Sequence, residues 1–533
     1  MNARTVNLGW RNSLIVVGVA AAASLLFGQQ APPVTVAPAT MKKLGSVDPR
    51  FASYNVEMVE VTGGRFWKPY KSSAADAQPA AQQNPNQAVG ENTAMFLYRP
   101  PIDLSNARLR KLAAALGPSY VRVSGSWANS TYFQNDDNPA LKEPPKGFKG
   151  VLTRAEWKGV VNFSHAVNAK IVTSVAISSG VRDASGAWAP DQAKAFFDYT
   201  KNVGGSIAAT EFMNEPTFPG PNGAPAGYNA EAFAKDIMAF EPFLRKDLPK
   251  IVFLGPGGVG EGVSLMPPGG PPGMRMKLLE TADLMKVTPP VFDAFSYHFY
   301  GTVSHRCLGN LKLEEALTAD WLNRTDTVEA FYEAIRDKYL AGKPMWLTET
   351  AEAACGGDEL AGQFVDSFRL LNQFGSLAQK RVQVVLHNTL ASSDYGLLDE
   401  DTFEPRPAYW AMLLWKRTMG PVVLDPGTPK SDGLRIFAHC ESGSRGGVTL
   451  LVLNTDTHEQ KLLSLPSAGE RYTLTAPELT SKKVLLNGAE LNAEPDGSVS
   501  SLHGQPVAAG TVQLPPASIT FLALRAVGNK SCE

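Results

Sequence analysis

Between about residues 51 and 410 the sequence keeps one rhythm, in which short apolar or β-branched runs alternate with helical stretches. The runs are Phe51–Val61, Ser119–Ser124, Lys170–Ile177, Ser206–Met213, Lys250–Leu254, Val291–Tyr297, Pro344–Thr348 and Arg381–Leu386. Stretches with helical periodicity separate them, among them Leu104–Leu116, Gln192–Val203, Ala230–Arg245, Thr327–Leu340 and Ala361–Phe374. A strand followed by a helix and another strand pairs in parallel, because the crossover brings the chain back in the same direction. Eight such units predict an α/β fold of the (β/α)8 TIM-barrel type, with a doubly wound open sheet as its rival.

After Trp415 the helical period disappears. Leu434–His439, Val448–Val452, Gln460–Leu465, Tyr472–Thr475, Val484–Leu486, Thr511–Leu514 and Ser518–Leu524 are short runs split by Gly, Pro, Asp and Asn. They predict a C-terminal β-sandwich. The expected division is a signal peptide or N-terminal anchor at 1–30 and a linker at 31–50 with room for one sandwich strand at Val34–Val36. A catalytic barrel at 51–414 and a sandwich at 415–533 complete it. Residues 71–92 are polar and low in complexity, as in a surface loop.

A net charge of −1 over 533 residues, with no dense Lys/Arg run, excludes a protein built to hold a nucleic acid. Near the N-terminus Arg4 and Arg11 precede an apolar run from Leu14 to Phe27, about the length of a signal-peptide core and short for a membrane span. Export is expected, to the periplasm, the medium or the envelope; cleavage of the segment and its retention as a membrane anchor both stay open. Export permits disulfides, and the four cysteines, Cys307, Cys355, Cys440 and Cys532, allow three full pairings. No C-x-x-C motif is present, which argues against zinc or redox chemistry.

Gly255-Pro256-Gly257-Gly258-Val259-Gly260 follows an apolar run and fits G-x-G-x-x-G. A dinucleotide site needs a helix to start there. The continuation EGVSLMPPGGPPGM is too rich in proline and glycine for one, so a loop at the barrel mouth is expected.

Two acids stand out. The fourth run ends in Asn214-Glu215-Pro216 and the seventh in Glu349. In a barrel both lie at the C-terminal rim, across the mouth from each other, where such folds place chemistry. Two carboxyl groups about 5–5.5 Å apart are the requirement of a retaining glycosidase. Asn214 is placed to bond a sugar 2-hydroxyl. Tyr300 and Arg122 are donors for Glu349, and His298 is a sugar contact, a supporting donor or a structural histidine. Taken singly, Glu215 also reads as an exposed acid in a turn and Glu349 as a helix N-terminal acid.

In several stretches the chain resembles the heparanase and β-glucuronidase family of glycoside hydrolases. The matching segments are Leu116–Gly125, Asn214-Glu215-Pro216, Tyr297-His298-Phe299-Tyr300, and Trp346-Leu347-Thr348-Glu349-Thr350 with Gly356-Gly357 following. Tyr395–Glu400 with Pro405 and Tyr409-Trp410, then Leu434–Cys440, continue it. The resemblance implies a retaining hydrolase of β-linked glucuronides, with Glu215 as proton donor and Glu349 as nucleophile. It implies that Gly356, Gly357 and Tyr395 hold the substrate carboxylate, that no metal or organic cofactor takes part, and that the partner is a glucuronide-containing carbohydrate rather than a protein. It also implies a Cys440–Cys532 bridge, which would pin the C-terminal tail. Cys307 and Cys355 follow the sixth and seventh runs on the same rim, so a second bridge is open. Two departures stand against the family pattern: Thr348 where a Gly often precedes the catalytic Glu, and Cys355 near the place of a third Gly. The alternatives are a related β-xylosidase or β-glucosidase for neutral sugars, and a carbohydrate-binding barrel without activity.

Overall fold

The computed structural model describes residues 32–70, 95–265, 278–428 and 433–533, together with Met1 and Lys430. The expected signal or anchor segment (apart from Met1) and the polar 71–92 loop lie outside them.

The eight runs close into a parallel barrel in sequence order. Its strands are β1 (Ala52–Glu57), β2 (Ser119–Ser124), β3 (Ala169–Thr173), β4 (Ile207–Glu211), β5 (Val252–Gly258), β6 (Ala294–Val303), β7 (Met345–Ala354) and β8 (Val384–His387). The open-sheet rival is ruled out, because β8 pairs with β1. Several ends differ from the sequence reading. β1 stops at Glu57, where Glu60 accepts the Glu57 N–H at 2.6 Å and the helix Met58–Thr62 begins. β6 and β7 run on past the expected ends, since they keep pairing to Val303 and Ala354. Glu349 therefore lies inside β7 rather than after it. The glycine-rich motif is not a nucleotide turn either: the strand continues through it to Gly258, and no helix starts until Thr281 among the described residues.

The barrel interior changes character with height. Its lower layer is apolar, formed by Tyr120, Val172, Ala209, Leu254, Ala294, Trp346, Val384 and Leu386. Side chains alternate along a strand, so the residues two places on also face inward. On β2, β4 and β7 those are Arg122, Glu211 and Thr348, all buried. The apolar floor thus gives way to a charged ceiling within one pleat.

A bulge interrupts this alternation where it matters. Tyr297 pairs with Leu347, but the next residue of β6, His298, pairs with Glu349. The pairing of β7 with β8 jumps at the same place, from Leu347 to Thr350. One extra residue in β7 re-aims the side chains beyond it. Thr348 and Glu349, consecutive in sequence, both make contacts inside the mouth.

Outside the barrel, a nine-stranded sheet carries Met419–Leu424, Leu434–Glu441, Val448–Asn454, Ser518–Leu524 and Gly469–Thr475, with shorter strands at its edges. Lys43–Ser46 joins its edge, antiparallel to Met419–Leu424. A three-stranded sheet formed by Val34–Thr35, Lys461–Leu465 and Gly510–Leu514 faces it. One face of the large sheet, with Leu450, Val452, Leu522 and Leu524, packs on the small sheet. The other, with Phe437, Leu451, Leu453 and Phe521, belongs to the barrel's own core. This explains why VTLLVLN is buried throughout and carries the unbroken apolar run Leu450–Leu453 rather than alternating. The helix Phe364–Gln379 is caught between and buried on nearly all sides. At Gly375 a β-carbon would strike the Phe437 ring. The helix Pro407–Thr418 runs through the expected 414/415 boundary, and the large sheet takes up the chain only at Met419.

Cys440 and Cys532 are joined, with Cα atoms 5.3 Å apart, and Cys307 and Cys355 are joined on the barrel rim.

Candidate active site

Arg122 is the centre of the charged ceiling. Its Nε–H donates to Glu211 at 3.0 Å, one Nη to Glu349 at 2.9 Å and the other to the Asn214 side-chain oxygen at 2.8 Å. Burial works against its charge, but Glu211, Glu349 and Glu57 outweigh burial and hold it protonated. Burial alone would also raise the Glu211 carboxyl. Arg122, His298 and the Thr348 hydroxyl at 2.8 Å keep it below its ordinary value instead. Such a buried group is tolerable only because every partner is in place.

Glu349 accepts from Arg122 on one oxygen and from the Tyr300 hydroxyl, at 2.5 Å, on the other. Glu215 lies just past β4, more open than Glu349: its side chain is 15% exposed against 7%. Its backbone is left-handed, with φ 50°, which is uphill for a residue with a β-carbon. The neighbourhood holds it there. Asn129 bonds both the N–H and the carbonyl of Asn214, at 2.8 and 2.9 Å. Asn222 donates to the Glu215 carboxylate at 3.2 Å and to its carbonyl at 3.3 Å.

His298 is buried between the two acids. Its Nδ1 is 3.1 Å from Glu215 and its Nε2 is 3.3 Å from Arg122. Arginine only donates, so Nε2 accepts and Nδ1–H faces Glu215. Burial resists a second proton on the imidazole, but Glu349 and then Glu215 outweigh it and raise its pKa.

One oxygen each of Glu215 and Glu349 and one nitrogen of His298 lie within 4.8 Å of one another. On distance alone that trio is a cation's donor set. Arg122 already occupies the same Glu349 oxygen, and a dication there would face the guanidinium, so the donors do not suit one.

Around the mouth, Asn388 donates to the hydroxyls of both Tyr300 and Tyr395, at 3.1 and 3.3 Å. Gly357 lies against Tyr395: a β-carbon there would be 2.8 Å from the Tyr395 nitrogen. The structure therefore brings Arg122, Asn214, Glu215, His298, Tyr300, Glu349 and Tyr395 into one network, with Gly356 and Gly357 at its edge. Cys440 and Cys532 are remote, in the outer sheet.

Sequence reasoning missed Glu57, Asn129, Glu211, Asn222 and Asn388. Glu57 closes its barrel strand in the structure, but the apolar run Phe51–Val61 hid that end. Burial first and Glu349 second push its carboxyl well above the usual range. Thr348 gains a reason as well, since its hydroxyl bonds Glu211, which a glycine would leave one partner short.

Residues 92–375 match the family described as Glycosyl hydrolase family 79, N-terminal domain, over more than half of the chain. Heparanase-like protein 1 of Arabidopsis thaliana is 29% identical over 411 residues, 72% of this chain and 70% of that one. Hyaluronoglucuronidase of Hirudo nipponia is 25% identical over 441 residues, 74% of this chain and 85% of that one. Among solved structures, a 4-O-α-L-rhamnosyl-β-D-glucuronidase from Fusarium oxysporum superposes with a TM-score of 0.60 at 12% identity, covering 92% of this chain and all of that one, a likeness of fold.

Proposed function

The chain belongs to glycosyl hydrolase family 79, and from that premise we propose that it hydrolyses β-linked glucuronides with retention, Glu349 acting as nucleophile and Glu215 as acid and base. One observation carries the mechanism. Oxygens of the two carboxyl groups approach within 4.8 Å, near the roughly 5–5.5 Å of double displacement and too close for the water of an inverting enzyme, which needs roughly 6.5–9.5 Å.

The donors divide the roles. Glu349, held by Arg122 and Tyr300, is aimed as a carboxylate at the anomeric carbon. Glu215, more open, gives its proton to the departing oxygen and is left as an anion facing the His298 Nδ1–H and the Asn222 amide. Attack forms a glycosyl ester on Glu349. Water then enters, loses its proton to Glu215 and releases the sugar with its original configuration. As Glu349 becomes a neutral ester, Arg122 keeps Glu211 as its counter-charge. The Asn214 oxygen is taken by Arg122, which leaves its NH2 to donate to the 2-hydroxyl.

For the substrate, Gly356 and Gly357 beside Tyr395 support a carboxylate at sugar C6. Backbone N–H groups in a left-handed turn bind anions well. The names of relatives such as hyaluronoglucuronidase and a baicalin β-D-glucuronidase from Scutellaria baicalensis, 30% identical over 246 residues, point the same way. Two disulfides and the apolar N-terminal sequence support export. Among the described residues no helix is long and apolar enough to cross a membrane.

The test compares kcat/KM for nitrophenyl β-glucuronide and β-glucoside and follows the first product by proton NMR. The β-glucuronide should be strongly preferred and the β-anomer should appear first. Preference for the glucoside would overturn the uronate assignment, and inversion would overturn the retaining one.

A further inference from the structure

The turn after β7 has an unusual backbone. Cys355, Gly356 and Gly357 are left-handed in succession, with φ 64°, 87° and 80°. Two glycines adopt this freely; a cysteine does not. Three such residues in a row would be a loose segment unless something external fixed them, and a loose segment is a poor anion receptor because its donors must be ordered on binding.

Its other faces are already occupied. The Gly356 carbonyl accepts from the Ser393 hydroxyl at 2.8 Å and the Asp394 N–H at 3.1 Å. The Cys355 carbonyl accepts from Ser304 at 3.2 Å, and the Asp358 N–H donates to Glu352 at 3.1 Å. A β-carbon at Gly356 would strike Trp67. Among the described residues, no protein acceptor meets the Gly356 or Gly357 N–H.

Both ends of the turn are tied to one place, the short helix His305–Cys307 that follows β6. Cys307 is disulfide-bonded to Cys355 at the turn's start. His305 pairs through Nδ1 with the buried Asp358 at its end, 2.9 Å away. Between them Arg306 anchors the helix: it bonds the Lys68 carbonyl, pairs with Asp394 at 2.8 Å and lies over the Tyr70 ring. That helix thus links the loops after β1, β7 and β8.

We propose that the helix His305–Cys307 is the positioning element for substrate selectivity, its disulfide to Cys355 and its His305–Asp358 pair fixing the Gly356–Gly357 amides against a sugar C6 carboxylate. This rests on the reading that the glycine turn and Tyr395 hold a uronate. His305 and Cys307 touch no substrate; they act through the turn.

The test measures kcat and KM separately on nitrophenyl β-glucuronide and β-glucoside for the wild type, the pair Cys307→Ser/Cys355→Ser, the pair Cys307→Ser/Cys355→Gly and the single variant His305→Gln. Losing the disulfide should raise KM for the glucuronide about 10-fold, change kcat less than about 3-fold and leave the glucoside constants in place. Cys307→Ser/Cys355→Gly removes the strain at 355 along with the tie, so it should recover thermal stability but not selectivity. The pair Cys440→Ser/Cys532→Ser, far from the mouth, should lower Tm and leave the glucuronide-to-glucoside ratio at the wild-type value. Should the serine pair fail to fold, the glycine pair and His305→Gln carry the same reading. A wild-type ratio in the disulfide-free enzyme overturns the proposal. A wild type that does not prefer the glucuronide overturns the uronate reading instead.

Discussion

The barrel mouth and the outer sheets bury polar groups on opposite terms. In the outer sheets several such groups meet neutral partners close by. Asn454 donates to three carbonyls, at 2.7 to 3.1 Å, Thr473 meets Thr520 at 3.1 Å, and His439 bonds the Gly420 carbonyl at 2.7 Å. In the mouth one guanidinium serves several carboxylates, and Glu57 and Glu349 repel each other away from water. The first arrangement only stabilises. The second keeps groups of like charge near one another, which a fold bears where chemistry requires it.

The largest way to break this contrast is Glu349→Gln. Turnover should fall by at least about 10⁴-fold, because an amide cannot form the glycosyl ester. The circular dichroism spectrum should not change, and Tm should hold or rise as like charges are relieved; a near wild-type rate would remove Glu349 from its role. Glu215→Ala should cost about 10³-fold on glucuronides with poor leaving groups and much less on nitrophenyl ones. Added azide should restore the second step, and a leaving-group-independent loss would count against the acid role.

Acid should separate the two regions. Burial, with no charged partner, lowers His439 to about 4, so its contribution is full above pH 6.5 and is lost as pH falls from there toward 4, on the order of 3 kcal/mol. In the barrel, burial first raises Glu60 and Glu329 to about 7. Those carboxyls bind protons in the folded state before the unfolded one does, so they add stability as pH falls from 7 toward 4.5. His387, held at about 4 chiefly by burial, opposes them. Hydrogen exchange at pH 5 against pH 8 should show protection lost in Leu434–Glu441 before the barrel strands; loss in the opposite order would refute this.

Cys440→Ser/Cys532→Ser should destabilise by about 2–4 kcal/mol, since the bridge closes a separation of 92 residues. Denaturant unfolding measures it. The smallest effect expected is that of Tyr395→Phe, about a tenfold loss of glucuronide over glucoside preference, near 1.4 kcal/mol, with the anomeric outcome unchanged. An unaltered preference would leave the uronate to the glycine turn alone.

What was legible in the sequence was whatever rests on periodicity. Eight apolar runs gave eight strands, and residues within or just past them gave Arg122, Glu215, His298, Tyr300 and Glu349. Positions that depend on where the chain folds back were hidden. Asn129 reaches Asn214 from 85 residues away, and nothing near either residue announces it. The bulge in β7 was equally silent. Strict alternation from Trp346 sends Glu349 outward, and only pairing with both β6 and β8 reveals the added residue. Lys43–Ser46, exposed at Lys43, Leu44 and Ser46, has no apolar face to mark it as a strand, because it borrows its place from the edge of Met419–Leu424.

That borrowed place bears on the order in which a ribosome could let this fold assemble. Val34–Thr35 pairs with Lys461–Leu465, and Asn529 bonds the carbonyls of Pro38 and Met41. This N-terminal stretch therefore waits for partners made up to 491 residues later, while the barrel between them can close beforehand from neighbours in sequence. Until then those strands are open edges, and a holding factor or a partner strand has its longest window there.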